Sequence, residues 1–149
     1  MSDSDLMKLY SARILALAAD IPHVGRLDLP NGTSRKRSPL CGSVVTVDVM
    51  LGPDGRVSGF AQDVKACALG QAAAAVLGRA VIGRTGAELA TARDALRAML
   101  TAQGPVPAAP FGDYEVLIPA RAYKNRHASI LLALDAAAEA AALAAAGTD

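Results

Sequence analysis

The stretch from Val44 to Gln62 restricts the fold more than any other part of this chain. Val45, Val47 and Val49 alternate with Val44, Thr46 and Asp48, the period-two pattern of a strand with one apolar face. Gly52-Pro53-Asp54-Gly55 is a reverse-turn sequence, and Val57 to Gln62 supplies a returning strand. The expectation is an antiparallel hairpin. A residue just before the first strand should then lie near one just after the second, at one end of the sheet.

The flanking segments read as helices and loops. Leu6, Leu9, Tyr10, Ile14, Leu15 and Leu17 recur near helical spacing after Asp3 and Asp5, and Pro22 should end that helix by Asp20 or Ile21. From Pro22 to Pro39 the Gly, Pro, Asn, Ser and charged residues predict a long surface loop with room for a short extended piece. Ala66 to Leu77 is an alanine-rich helix. Thr85-Gly86-Ala87-Glu88 has the form of a capping box and opens a helix to about Ala102. A third strand is expected around Tyr114 to Leu117, and a final helix from about Arg126 to Ala146. Because the chain is 52% hydrophobic but only 3% aromatic, its core must be built from Ala, Leu, Val and Ile, which favours closely approaching helices. These elements predict an α+β fold, a small antiparallel sheet of about three strands packed against several helices. Residues 1–149 read as one domain.

Charge and motifs narrow the function. A net charge of +1 gives no broad field for nucleic acid or an anionic membrane. The one basic run, Arg35-Lys36-Arg37, reads as a solvated loop, placed just before Cys41 where a partner could be met. Two cysteines do not make a secreted disulfide framework, so reduced thiols are expected. The first residues lack the features of a signal peptide. The tail from Ala133 to Ala146 is interrupted by Asp135 and Glu139 and reads as too short and too weakly hydrophobic to span a bilayer. A soluble, cytoplasmic protein is the expectation, without nucleic acid or membrane. Gly83-Arg84-Thr85 lacks the Gly-rich run and Lys of a phosphate loop, and no Gly-x-Ser-x-Gly elbow occurs. The acidic residues, Asp48 among them, show no catalytic pairing and read as solvated faces and caps.

The remaining candidates for chemistry are the two cysteines and a histidine. Cys41 lies in Ser38-Pro39-Leu40-Cys41-Gly42-Ser43, directly before the first strand of the hairpin. Cys67 follows the second strand and opens the alanine-rich helix, so the hairpin can bring both thiols to one end of the sheet. Gly42 leaves room for a bulky ligand near the backbone. Taken singly, either cysteine would more often be a small buried hydrophobe. His127, at the start of the last helix, could give an imidazole nitrogen to iron or zinc, or serve only as a surface or capping residue. His23 reads as structural or solvent-exposed.

Three motifs together resemble the NifU-like (IscU/SufU-type) iron–sulfur cluster assembly scaffolds. They are the turn around Cys41, the helix start at Cys67, and Asn125-Arg126-His127-Ala128-Ser129-Ile130-Leu131. In that family the turn reads Pro-x-Cys-Gly-Asp, and a third cysteine arrives beside a His. Here the turn Asp is Ser43, and the third-cysteine position is Ala128. The resemblance extends from about Leu6 to Ala140, with Arg126 as in the SufU-type branch. The family's chaperone-recognition motif is absent, the nearest stretch being Leu117-Ile118-Pro119-Ala120-Arg121. The resemblance implies a SufE/NifU-like fold and a binding protein rather than an enzyme. Cys41, Cys67 and His127 would hold an iron–sulfur cluster or iron, with zinc as an alternative. A cysteine desulfurase and recipient apo-proteins would be the partners. Two other roles stay open: a sulfur acceptor for a desulfurase, and an interaction module that has lost metal chemistry, which Ser43 and Ala128 motivate.

Overall fold

A computed structural model describes residues 10–39 and 42–147. Helix α1 spans Ala12–Ala18; Ser11 caps it, its hydroxyl accepting from the Ile14 amide at 3.2 Å. Leu6 and Leu9 lie outside the described residues. Strands β1 (Gly32–Arg37), β2 (Val44–Leu51) and β3 (Val57–Lys65) form one antiparallel sheet in that order. Helices α2 (Ala68–Ala80), α3 (Gly86–Thr101) and α4 (Lys124–Gly147) complete the fold with a 3₁₀ segment at Gly112–Ala122.

The hairpin forms as its alternation requires. Val45, Val47 and Val49 are buried on the face that meets α4. Gly55 closes the turn at φ 78°, its amide donating to the Gly52 carbonyl at 3.0 Å. Val44 pairs with Lys65, so the start of β2 lies beside the end of β3. The capping box at Thr85 and Glu88 is also present, with both reciprocal hydrogen bonds made.

The third strand is not where the sequence placed it. Tyr114–Leu117 lies in the 3₁₀ segment, and the strand beside β2 is β1, within the stretch expected to be loop. Phe111, Tyr114, Leu117 and Ala120 are the buried positions there, one every three residues, which is the 3₁₀ period rather than the strand period. Strand β1 lacks an apolar signal because its inward positions are Gly32 and Ser34. Helix α4 lies so close that a Cβ at Gly32 would collide with the Ala140 carbonyl. Ser34 instead hydrogen-bonds Glu139. The basic run is thus the end of an edge strand, not a loop, and Lys36 pairs with Glu139 at 2.9 Å.

Helix α4 is the core helix. It starts further upstream than the alanine tail alone indicated, and over 24 residues it is long and apolar enough to cross a membrane. The Ala133–Ala146 stretch is the second half of that helix. In this fold most of its apolar window is buried, packed on β1, β2, α2 and α3.

Candidate functional site

The β2–β3 register and the start of α4 bring three side chains together at one end of the sheet. Ser43 immediately precedes β2 and is buried, 4% exposed. Cys67, half-buried, follows β3 by two residues and occupies the N-cap position of α2. Its backbone carbonyl accepts from the Gln71 amide at 2.9 Å, but its thiol makes no capping bond. Ser129, in the second turn of α4, joins them: its hydroxyl lies 3.4 Å from the Cys67 sulfur and 3.1 Å from the Ser43 hydroxyl.

Helix packing makes that junction possible. A Cβ at Gly70 would stand 2.6 Å from the Ser129 hydroxyl and 2.8 Å from the Ala66 Cβ. Glycine at this position therefore lets the first turn of α2 approach α4 closely enough for Cys67 and Ser129 to touch. The turn before β2 is tied by its backbone, with the Ser38 amide donating to the Ser43 carbonyl at 2.8 Å and the Gly42 amide to the Ser38 carbonyl at 2.9 Å. Gly42 takes φ 70° there. Cys41 lies outside the described residues.

His127 is placed differently. Its ring is buried, and Nε2 lies 2.9 Å from the Ala120 carbonyl of the 3₁₀ segment. A carbonyl only accepts, so Nε2 carries the hydrogen, and in the neutral ring the lone pair is on Nδ1. Ala128 is half-buried, and the residue of α4 that reaches Cys67 is its neighbour Ser129. Ser129 was not singled out by sequence; its signal is the one hydroxyl side chain of α4, at a buried position. His23 is exposed at φ 60°, edge-on to Phe60. Its carbonyl accepts from the Gln62 amide at 2.8 Å, the structural role expected of it.

One acidic residue departs from expectation. Asp48 is fully buried rather than solvated, on the opposite face of the sheet from the core. Burial pushes its carboxyl up. Hydrogen bonds from Arg26 at 2.6 and 3.1 Å, Thr33 at 2.6 Å and the Leu27 amide at 3.0 Å outweigh that and hold it below its ordinary value. The sequence gives no sign of this, because Asp48 falls on the polar phase of the β2 alternation. Its work is to anchor the loop between α1 and β1 across the sheet.

A solved structure with this architecture is that of the N-terminal part of a NifU-like protein, described as nitrogen-fixing, from Brucella abortus. It is 44% identical, with a TM-score of 0.91 over 95% of this chain and 98% of that one. The present chain belongs to the NifU-like family. Two more distant structures share the fold. One, from the thermophile Fervidobacterium islandicum AW-1, is described as an iron–sulfur cluster assembly scaffold protein for the SUF system; it is 17% identical with a TM-score of 0.79. The other is a hypothetical protein, 24% identical with a TM-score of 0.80. Each match covers 91% of this chain and 98% of the other. No family profile and no curated protein matches the sequence.

The donor set at the sheet end of this NifU-like protein is small. Among the described residues, no three His, Cys, Asp or Glu side chains converge. The Ser129 hydroxyl stands against the Cys67 thiol and the Ser43 hydroxyl against Ser129, and serine hydroxyls are poor ligands for iron beside thiolate.

Proposed function

We propose that the protein is an iron–sulfur cluster assembly scaffold or carrier, a binding protein rather than an enzyme, acting as one domain over residues 1–149 in the cytoplasm. The cargo is iron or a cluster, with zinc as the alternative occupant. Cys67 and Cys41 hold it as thiolates, and His127 Nδ1 is the third donor. Cluster iron takes four ligands and a zinc site likewise, so a group from a partner or a small thiol completes the shell. A cysteine desulfurase supplies the sulfur, and apo-proteins receive the product. The observation that carries this reading is the pairing of Val44 with Lys65, which sets Ser43, two residues from Cys41, beside the helix start bearing Cys67. The hydrogen bond from Nε2 of His127 to a backbone carbonyl is the support that orients a ligating imidazole.

The Ser43–Ser129 hydrogen bond favours a second reading, an interaction protein that keeps the scaffold fold without metal chemistry. The two readings separate in the metal content of protein purified without oxygen. Scaffold function predicts iron or zinc that is lost in Cys67→Ser and reduced less in His127→Ala. Metal-free wild type that still binds a desulfurase, unaffected by Cys41→Ser and Cys67→Ser, would establish the second reading.

A further inference from the structure

The near-neutral net charge conceals an uneven distribution. Among the described residues, Arg35, Arg37, Lys65, Lys124 and Arg126 make no ion pair. Every other described lysine and arginine stands in an ion pair with a carboxylate, except Arg121, which donates to the Met99 and Gly104 carbonyls. Every described carboxylate is likewise paired apart from Asp28 and Asp63.

The unpaired cations lie on the elements that meet at this end of the sheet: β1, the end of β3 and the start of α4. In the sheet register Arg37, Val44 and Lys65 form one row at the end where Ser129 joins Ser43 to Cys67, on the face away from the core. Arg35 stands in the next row with Thr46 and Asp63, the one acidic group on this rim. Lys124 and Arg126 lie in the first turn of α4, ahead of Ser129, which touches Cys67. Four of the five are exposed and Arg126 is half-exposed. Strands about 4.8 Å apart put Arg37 and Lys65 about 10 Å from one another, across the half-buried Val44.

We propose that this rim is a docking surface for a protein partner that presents an acidic face around the group meeting the Cys67 thiol. The proposal rests on the scaffold reading and adds to it the surface and the partner's charge. A row of cations along a sheet end is broad and laid over strands rather than sunk in a cleft, the form that suits a protein face rather than a small ligand. Charge placed at the rim of an interface acts mainly on encounter: it steers the partner and fails progressively as salt rises. Carboxylates elsewhere pair the other described cations apart from Arg121, which is held by carbonyls, so the positive end is the one oriented for capture.

The test is association of the full chain with the cysteine desulfurase of the same cell, followed by surface plasmon resonance at low and at physiological salt. Arg37→Glu/Lys65→Glu should slow association by about tenfold or more at low salt and flatten the salt dependence. Arg37→Gln/Lys65→Gln should fall between, and Arg13→Glu, remote from the rim, should match wild type. A short DNA duplex is run beside the desulfurase. Equal association rates for wild type and the Glu variant, including absence of binding by both, overturn the proposal. Tighter or equally salt-dependent binding to DNA overturns it too, by showing a general polyanion surface. Cluster uptake from ferrous iron and sulfide alone, without desulfurase, should be the same in wild type and variants. If wild type takes up no cluster while desulfurase binding stays charge-dependent, the scaffold reading fails and the docking surface stands.

Discussion

Replacing Gly70 with alanine tests the packing that joins Cys67 to the last helix. Alanine should favour α2 by about 1 kcal/mol through helix propensity. Against this, its Cβ would stand 2.6 Å from the Ser129 hydroxyl, 2.8 Å from the Ala66 Cβ and 3.1 Å from the Ser129 carbonyl oxygen. Overpacking of this kind costs about 1–3 kcal/mol. Turning the Ser129 hydroxyl away would relieve the shortest polar contact but would break its bonds to Cys67 and Ser43, at about 1 kcal/mol. Gly70→Ala should therefore destabilise the protein by about 1–2 kcal/mol despite the better helix former. In a Ser129→Ala background the hydroxyl contact is gone, so the same change should cost less by about 1 kcal/mol, the remainder reflecting Ala66 and the backbone. Urea denaturation of wild type, both single variants and the double variant closes the cycle. Additive costs would refute the claim that Gly70 is there to admit Ser129.

Three further outcomes follow from buried groups. Asp48→Asn should lose about 2 kcal/mol at neutral pH, because charge-assisted bonds become neutral ones. The Asp48 carboxyl lies below its unfolded value, so its contribution is complete above about pH 4 and fades as the pH falls through the folded value. The gap between wild type and variant in urea midpoint should thus narrow at pH 3, and a gap that stays constant would contradict the argument. Tyr114 is fully buried and its hydroxyl has no hydrogen-bond partner among the described residues. Tyr114→Phe should be neutral or up to about 1 kcal/mol stabilising, and a clear loss would mean that the hydroxyl is satisfied. Burial raises that phenol, so its contribution is intact below about pH 10 and lost as pH rises above it; the variant should lack this alkaline decline. Finally, Ser129→Cys should strengthen zinc binding by about tenfold or more, and Ala128→Cys by less, since the 129 side chain is the one against Cys67. Chelator competition ranks them, and the reverse order would return the third-ligand position to 128.

Legibility in the sequence followed apolar periodicity. The hairpin could be read because Val45, Val47 and Val49 carry a period-two signal into the core, and its register then placed the Cys67 end. The α3 start could be read because Thr85 and Glu88 are chemically specific to a helix N-terminus. Strand β1 could not, because a close alanine helix leaves room only for Gly32 and Ser34 on its inner face, and these carry no hydrophobic signal. The Tyr114 region misled because four residues resemble a strand, while the period of three emerges only from Phe111 through Ala120. At the site, the chemistry-bearing residue types were visible, but Ser129 was hidden because its role depends on α2 and α4 touching at Gly70. The cationic rim was hidden for a related reason: which charges stay unpaired is a tertiary property that a net charge averages away.

The central claim is that the sheet end around Cys67 handles iron and sulfur. Anaerobic reconstitution with ferrous iron, a cysteine desulfurase and cysteine tests it most directly, followed by visible absorption together with iron and sulfide content. The account predicts cluster absorption in wild type, none in Cys67→Ser or Cys41→Ser, and partial loss in His127→Ala. Wild type without bound iron, or Cys67→Ser with the wild-type spectrum, would contradict it.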